Sequence, residues 1–283
     1  MTRTFLAVAA GLCSATAYGV ASALQHDQAG QVAKGSPLNP ALIGRLARRP
    51  VWLLAMVADV SAVALQAVAL RYGAVVLVQL LVVGGLPVAV VVAAAMARLP
   101  LTRPEIYGLV LCTGGLALAV PGTTSVNLGH PAGPRTWLLV AFLGVASVLA
   151  LVLVAQRRPQ LAPAATGVAA GITAGASSVL LALCAARIDH PLALLQTVIP
   201  YATLAVGLAT LLLSQAAFQT GALGTPLAAL SVSEPAVAVL LAATALHEHL
   251  PTRPVALTAA ALGAVAAVVG VLVLSRSARL AAG

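Results

Sequence analysis

Charged side chains are scarce in this sequence. Only 7% of the 283 residues are Asp, Glu, Lys or Arg, just six residues are acidic, and 61% are hydrophobic, with a mean hydropathy of +1.06. These values lie far outside the range of soluble proteins, and apolar spans leave no room for a soluble catalytic domain. The composition therefore predicts an all-α polytopic membrane protein.

Cysteine is also rare, and its spacing excludes two further classes. Cys13, Cys112 and Cys184 each lie inside an apolar run, and no pair has a CxxC spacing. This pattern argues against a disulfide framework and against a metal site. We therefore predict three small core side chains, with no cofactor and no metal ligands.

A catalytic constellation is missing as well. Apart from isolated acids, the titratable cluster is His247-Glu248-His249, which does not match the His-Glu-x-x-His metal motif. Histidines two positions apart on a helix point away from each other and cannot readily chelate one ion. We therefore expect no catalytic residues and no enzymatic activity, and we expect Glu248 to bond to Thr252 or to the loop at a helix end.

The basic residues lie between the apolar runs, so the net charge of +9 indicates membrane orientation rather than nucleic-acid binding. Ten of the 15 basic residues fall on one side of the membrane, which is then the cytoplasmic side. We therefore predict a cell-membrane protein with its C-terminus in the cytoplasm and, given nine spans, its N-terminus outside. The expected partners are the lipid bilayer and a small-molecule or ion substrate, and a homodimer stays open. The ten are Lys34, Arg45, Arg48, Arg49, Arg98, Arg103, Arg157, Arg158, Arg276 and Arg279, against Arg3, Arg71, Arg135, Arg187 and Arg253 on the other side.

What the sequence does contain is a series of apolar runs of about 20 residues, the length that crosses a bilayer. The first run also fits a cleavable signal peptide, but its Val-Ala-Ala-Gly, residues 8–11, recurs at 168–171, which favours a retained helix. A Gly84-Gly85 pair and Pro87 predict a bend in the third run, and glycines at 167, 171 and 175 predict close helix packing in the sixth. The nine predicted spans are 5–24, 51–70, 73–97, 104–120, 136–155, 164–186, 192–213, 221–250 and 254–274.

The two halves of the chain resemble each other. Gln66-Ala67, Gly73-Ala74, Pro87 and 102–104 match residues 148 to 150 positions later, and the first and sixth spans match at an offset of 160. Chance similarity in an Ala, Val and Leu-rich chain is the weaker explanation. Because equivalent helices are five spans apart, an odd number, the copies have opposite orientations. We predict an inverted repeat of five plus four helices, 1–158 and 159–283, with the last helix of the second repeat missing.

Polar residues near the middle of these spans form the candidate substrate or ion site. Glu234 precedes Pro235 in the eighth span, and an acid at that depth should face other helices or a wet cavity. A structural kink, with Glu234 hydrogen-bonded to a neighbouring helix, is the alternative. Gln196, Thr203 and Thr210 form a polar seam that either lines a pathway or bonds to a neighbour. The predicted site residues are Asp59, Gln66, Gln79, Gln215, Ser231 and Glu234.

The eighth span resembles the EamA-type signature of the drug/metabolite transporter superfamily. Glu234, Pro235, Glu248 and Leu250 match its Glu-Pro and Glu-x-Leu positions, and a glycine-bearing last helix follows. The resemblance implies two inverted five-helix repeats, from which this chain departs by lacking a tenth helix and by having Leu86 before Pro87. The nine spans, the basic first loop and Gln-Ala-x-Ala-x-x-x-Gly at 66–73 are also similar to NIPA-type magnesium transporters.

Taken together, these features predict a secondary transporter for a small polar or cationic metabolite or drug. Asp59 and Glu234 are the candidates for proton or cation coupling, because a desolvated carboxylate can take up and release a positive charge. The alternative is a NIPA-like magnesium transporter, in which one or two carboxylates hold a largely hydrated ion. A dense acidic cluster at a pore mouth is missing, which disfavours magnesium. A purely structural or interaction protein, built from glycine-lined helices and buried acids, is the remaining class.

Overall fold

The computed structural model describes residues 2–30, 44, 47–96, 98, 100–123, 132–218, 224–248 and 254–275, and within these ranges the chain is helical with no strand. This confirms the all-α prediction. The helices are α1 (Thr2–Gly30), α2 (Pro50–Tyr72), α3 (Val75–Val83), α4 (Gly85–Met96), α5 (Arg103–Thr123), α6 (Pro134–Arg157), α7 (Ala162–Ala185), α8 (Pro191–Leu195), α9 (Ile199–Phe218), α10 (Gly224–Ala245) and α11 (Pro254–Ser275).

Eight helical segments in the described residues are long and apolar enough to cross a membrane: α1, α2, the α3–α4 pair, α6, α7, α9, α10 and α11. They confirm the class of polytopic membrane protein. Helix α5 occupies the fourth predicted span but is not one of the eight. The count of nine, the repeat boundaries and the orientation of the termini stay predictions.

Two predicted span boundaries are wrong. Helix α1 continues to Gly30, so Gln25, which we expected to begin a loop, is a buried helical residue. The seventh span begins at Ile199 rather than at 192, because the chain first forms the short helix α8 and leaves the helical path at residues 196–198. Gln196 is therefore exposed outside α9 and does not belong to the seam. Residues 31–43, His249, Leu250 and Thr252 lie outside the described residues.

The glycine and proline positions coincide with a helix break in the third span but not in the eighth. The predicted bend in the third span is present at Gly84, which separates α3 from α4. Helix α10 instead runs unbroken through Pro235. Since proline has no N–H, it still cannot donate to the carbonyl four residues earlier, which is that of Ser231. At the start of α5, the Thr102 N–H donates to the Glu105 carboxylate at 2.7 Å.

Glycines bring neighbouring helices to backbone contact. A Cβ atom added at Gly175 would lie 2.6 Å from the carbonyl oxygen of Glu234, and one at Gly167 would lie 2.5 Å from that of Pro226. The predicted packing role of the α7 glycines is thus confirmed, and their partner is α10. The other close pair is α5 with α11, where a Cβ at Gly270 would lie 2.5 Å from the Cys112 amide nitrogen.

The cysteines only partly follow the prediction. Cys112 is fully buried between α5 and α11, as expected of a small core side chain. Cys13 is exposed on α1, so the core prediction is wrong there. Cys184 is partly buried, and its sulfur lies 3.4 Å from the Thr203 hydroxyl. Because cysteine behaves as a small hydrophobe, an apolar run does not reveal whether it packs inward or lies on the surface of the helix bundle.

The helices pack in two corresponding sets. Helix α1 packs against α2 and against the α3–α4 pair, whereas α7 packs against α9 and α10. Helix α3 contacts α5, and α10 contacts α11. The two sets meet where α3 packs on α10, where α5 packs on α11, and where α2 touches α7 and α1 touches α9. Helices α1, α2, α7, α9 and α10 consequently surround a common interior.

Candidate functional site

A cavity of about 110 Å³ lies within that interior, lined by residues of α1, α2, α7, α9 and α10. The carboxyl groups of Asp59 on α2 and Glu234 on α10 both line it. Among the residues that the structure describes, no Lys, Arg or His does so. The remaining polar lining consists of hydroxyl and amide groups, from Tyr18, Ser22, Gln25, Gln66, Ser177, Ser178, Thr210 and Ser214. The cavity is therefore acidic.

A second, smaller cavity of about 30 Å³ lies between α1, the α3–α4 pair and α10. Gln79 and Ser231 line this one, together with Glu234. Tyr18 and Ser22 also border both cavities. Glu234, which is 5% exposed, is the carboxyl group common to the two spaces.

The six predicted site residues are thus divided between two neighbouring cavities. Asp59 and Gln66 line the larger cavity, Gln79 and Ser231 line the smaller one, and Glu234 lines both. Gln215 lines neither, but it is fully buried and donates to Gln25, which does line the larger cavity.

Gln66 and Gln215 both make hydrogen bonds between the two sets of helices. The Gln66 amide on α2 donates to the Ser178 hydroxyl on α7 at 3.1 Å; we call this contact the Gln66 bond. The Gln215 amide on α9 donates to Gln25 on α1 at 2.6 Å; we call this contact the Gln215 bond. Each bond joins a helix of one set to the first helix of the other.

The two bonds lie at different levels along α2, with Asp59 between them. Gln25 also contacts the Met56 sulfur at 3.8 Å, which places the Gln215 bond near the start of α2. The Gln66 bond lies ten residues further along the same helix, or about 15 Å at 1.5 Å per residue. Asp59 falls between these levels on α2. The larger cavity is thus bracketed by one interhelical bond on either side of Asp59.

Further contacts join the two helix sets beyond the Gln66 bond. The Arg71 guanidinium, at the end of α2, forms an ion pair with Asp189 and donates to the Ala186 carbonyl oxygen at 3.3 Å. Both partners follow α7. We call this end of the bundle the Arg71 end. It is also the end at which α3 begins and α10 finishes.

Glu248 also joins the two helix sets at the Arg71 end; its predicted partner Thr252 lies outside the described residues, so that contact stays a prediction. Its carboxylate accepts the N–H of Val75 at 3.0 Å and the N–H of Val76 at 3.4 Å, the first residues of α3. An acid at a helix N-terminus satisfies amide groups that have no partner within the helix. Burial raises the pKa of Glu248, and the two backbone hydrogen bonds partly oppose that rise.

Gln25 is a further polar residue in the wall of the larger cavity. Its side chain lines the cavity with Asp59, contacts the Met56 sulfur one turn before Asp59 on α2, and accepts the Gln215 bond. Sequence reasoning missed Gln25 because it follows the predicted end of the first span. Its position one helical turn after Ser22 and two after Tyr18 was the available signal, since all three lie on one face of α1.

Gln79 is the least satisfied polar side chain of the site. It is fully buried, and within the described part of the chain neither its Nε2 nor its Oε1 atom has a hydrogen-bond partner. A buried polar group without a partner costs roughly 1–3 kcal/mol. Such a group at a cavity wall indicates a polar ligand or water.

The two threonines of the predicted polar seam on α9 have different surroundings. Thr210 lines the larger cavity, although its hydroxyl donates to the Val206 carbonyl oxygen within its own helix at 3.0 Å. Thr203 instead donates to the Ile199 carbonyl oxygen and touches Cys184. One end of the seam therefore borders the cavity, and the other bonds to a neighbour.

Comparison with known proteins found no matching family model, no matching curated protein and no matching solved structure. The class that the fold defines is an all-helical, multi-pass membrane protein.

Proposed function

We propose that this protein is a secondary transporter for a small polar or cationic solute, coupled to protons or to another cation. The observation that carries the proposal is the larger cavity, in which Asp59 from the first half and Glu234 from the second half face a common space. Intramembrane acids of this kind are costly to bury and mark ion or substrate pathways.

The charge of the cavity favours a cationic cargo. Two carboxylates in an enclosed space repel each other, and burying a charge without a partner costs several kcal/mol. Because the described lining contains no basic side chain, the compensating charge has to come from protons or from a bound cation. A dry protein cavity of about 150 Å³ holds benzene. At about 110 Å³ this cavity suits a smaller solute.

Three features of the structure support an inverted repeat, with equivalent residues about 149 positions apart. The two helix sets have corresponding packing partners. Arg98 and His247, which are 149 residues apart, are the residues with positive φ, 53° and 50°, among the non-glycine residues that the structure describes. Each follows the end of the helix that packs against the first helix of its half.

The third feature is a pair of close contacts. A Cβ added at Gly19 would meet the backbone of residues 85 and 89, and one at Gly175 would meet the backbone of residues 234 and 238. The contacted residues 85 and 89 correspond to 234 and 238 at an offset of 149. The glycines that meet them, Gly19 on α1 and Gly175 on α7, are 156 positions apart, which is one helical turn less than the sequence match of 160. Because small residues recur every four positions on both helices, a sequence alignment that is shifted by one turn still matches the correct helix face but assigns the wrong depth along the helix.

In this proposal, transport proceeds by alternating access through rocking of one half against the other. The Gln66 bond and the Gln215 bond join the halves on opposite sides of Asp59. Opening the cavity toward one membrane face requires breaking one of these bonds while the other holds. The contacts of Arg71 and Glu248 between the halves open together with the Gln66 bond.

The resemblance to the EamA-type signature leads us to propose membership of the drug/metabolite transporter superfamily. Glu248 then has a physical role in that signature, since it caps a helix of the opposite half. We further propose a cell-membrane location with the C-terminus in the cytoplasm, from the Lys and Arg distribution, and no enzymatic activity. On this orientation the Arg71 end faces outward.

The proposal is tested by reconstituting the full chain into liposomes with an internal pH-sensitive dye. Amino acids, polyamines, cationic drugs and Mg²⁺ are added in separate experiments. Solute-dependent proton or cation movement supports the transporter. Mg²⁺ uptake without an organic solute identifies the divalent-cation alternative instead, and no flux with any solute contradicts the proposal.

A further inference from the structure

The smaller cavity is narrow and contains a single carboxyl group. Its volume of about 30 Å³ leaves room for one or two water-sized particles. A divalent ion such as Mg²⁺ retains several of its waters and needs more space. The carboxyl group that lines this cavity is Glu234, whereas Asp59 lines only its larger neighbour. A single positive charge therefore balances the lining.

Oxygen atoms dominate the polar lining, and hard cations bind oxygen. The Glu234 carboxylate, the Ser231 hydroxyl and the Gln79 amide oxygen supply three potential ligands from α10 and α3. Pro87 and Pro235 have no N–H to donate to the carbonyls four residues earlier, so two backbone carbonyls lack their usual helical partner. Those carbonyls belong to Val83 and Ser231, which both line this cavity. Helix α3 ends at Val83, before the break at Gly84, and carbonyls at helix breaks are a common means of holding Na⁺ in transporters.

The second, independent observation is Gln79. Its amide is fully buried and faces the cavity with Oε1 unpartnered in the described structure. Water could pair with this amide, but water does not compensate the charge of Glu234, and the lining provides no basic group. A bound cation satisfies the amide oxygen and the carboxylate together.

We propose that Gln79, Ser231 and Glu234 form a binding site for a monovalent metal cation of the size of Na⁺, separate from the solute cavity that contains Asp59. Because Glu234 lines both cavities, a cation bound in the smaller cavity neutralises one negative charge in the wall of the larger cavity. The cation is then the coupling ion. This coupling role rests on the proposed transport function, whereas the binding site itself does not.

Thermal unfolding of the purified full chain in detergent tests the site without any transport measurement. The probes are NaCl, LiCl, KCl and choline chloride at equal ionic strength. A bound ion raises the unfolding temperature as its concentration exceeds the dissociation constant. We expect a saturable rise with NaCl that choline chloride does not produce. An equal effect of all four salts, or no saturable effect, overturns the proposal.

Variants identify the cavity. Gln79→Leu should weaken Na⁺ binding by about tenfold or more, the effect expected when a partner of a charged group is lost. Glu234→Gln should abolish the Na⁺ effect. Gln66→Leu, the same substitution at a residue of the larger cavity, should retain the Na⁺ effect. If Gln79→Leu does not fold, Ser231→Ala provides the test, with a several-fold weaker response.

The outcomes separate this inference from the transport proposal. An undiminished Na⁺ effect in Gln79→Leu shows that the ion binds elsewhere and overturns the site. Solute flux that is unchanged when choline replaces Na⁺ overturns the coupling role while leaving a transporter. Saturable Na⁺ binding that depends on Gln79, in a protein without any solute flux, supports the site and contradicts the transport function.

Discussion

Removal of the Glu248 carboxylate should loosen the contact between the two halves. Glu248→Ala deprives the N–H groups of Val75 and Val76 of their acceptor at the start of α3. A helix cap contributes about 0.5–2 kcal/mol, and a hydrogen bond to a charged group about 1.5–3 kcal/mol. The 3.0 Å bond to Val75 falls within good hydrogen-bond geometry, whereas the 3.4 Å bond to Val76 is long. We therefore expect a loss of about 2–3 kcal/mol in unfolding free energy.

Glu248→Gln is the matched control, because its amide oxygen can still accept from Val75. Burial holds the pKa of Glu248 above its ordinary value, so the folded state favours the protonated acid. The part of its contribution that depends on protonation is then fully present below about pH 4.3, the ordinary pKa of a glutamate, and is lost as pH rises through the higher folded value. The stability of the wild type relative to Glu248→Gln should consequently fall over that range.

Equilibrium unfolding in mixed detergent micelles, followed from pH 4 to pH 8, measures both effects. The assay compares the wild type, Glu248→Ala and Glu248→Gln under identical conditions. An alanine variant as stable as the wild type would refute the capping role. A wild type that gains stability over Glu248→Gln as the pH increases would refute the sign of the pKa shift.

Two further predictions concern the contacts between helices. Cysteines placed at both ends of the Gln66 bond and joined by a cleavable thiol crosslinker, in a background without native cysteines, should stop solute flux until the linker is reduced. The same holds for the Gln215 bond, and flux through either bridged protein would contradict the opening of that end. Gly175→Ala places a methyl group 2.6 Å from the Glu234 carbonyl oxygen and should cost about 1–3 kcal/mol of stability. Gly144→Ala, with nothing within 4 Å, should be neutral or stabilising, and equal effects of the two substitutions would contradict the packing argument.

The helices themselves could be predicted because membrane insertion is dictated by local composition. Runs of about 20 apolar residues and the glycines and prolines between them locate most elements, including the break at Gly84. The end of α1 was misplaced because polar residues at the end of a span resemble a loop in a hydropathy pattern. Gln25 belongs to the helix since its amide has partners on α2 and α9, which are distant in sequence.

Five of the six predicted site residues line one of the two cavities, but their division between two spaces could not be predicted. Asp59 and Glu234 were recognisable because isolated acids in apolar spans are rare and need a shared polar space. That Gln79 and Ser231 border a separate cavity depends on the packing of α3 against α10, which no local pattern encodes. The partner of Glu248 lies more than 170 residues earlier in the chain, so its capping role depends on tertiary structure alone.

The central claim is that Asp59 and Glu234 carry the charge that couples solute movement. The most direct test measures solute flux together with proton and Na⁺ flux in liposomes containing the wild type, Asp59→Asn or Glu234→Gln, after confirming equal folding and insertion. Each substitution keeps the size of the side chain and removes its charge. Our account predicts that each variant loses solute flux or its coupling to the ion gradient. Full coupled activity in both single variants would contradict it.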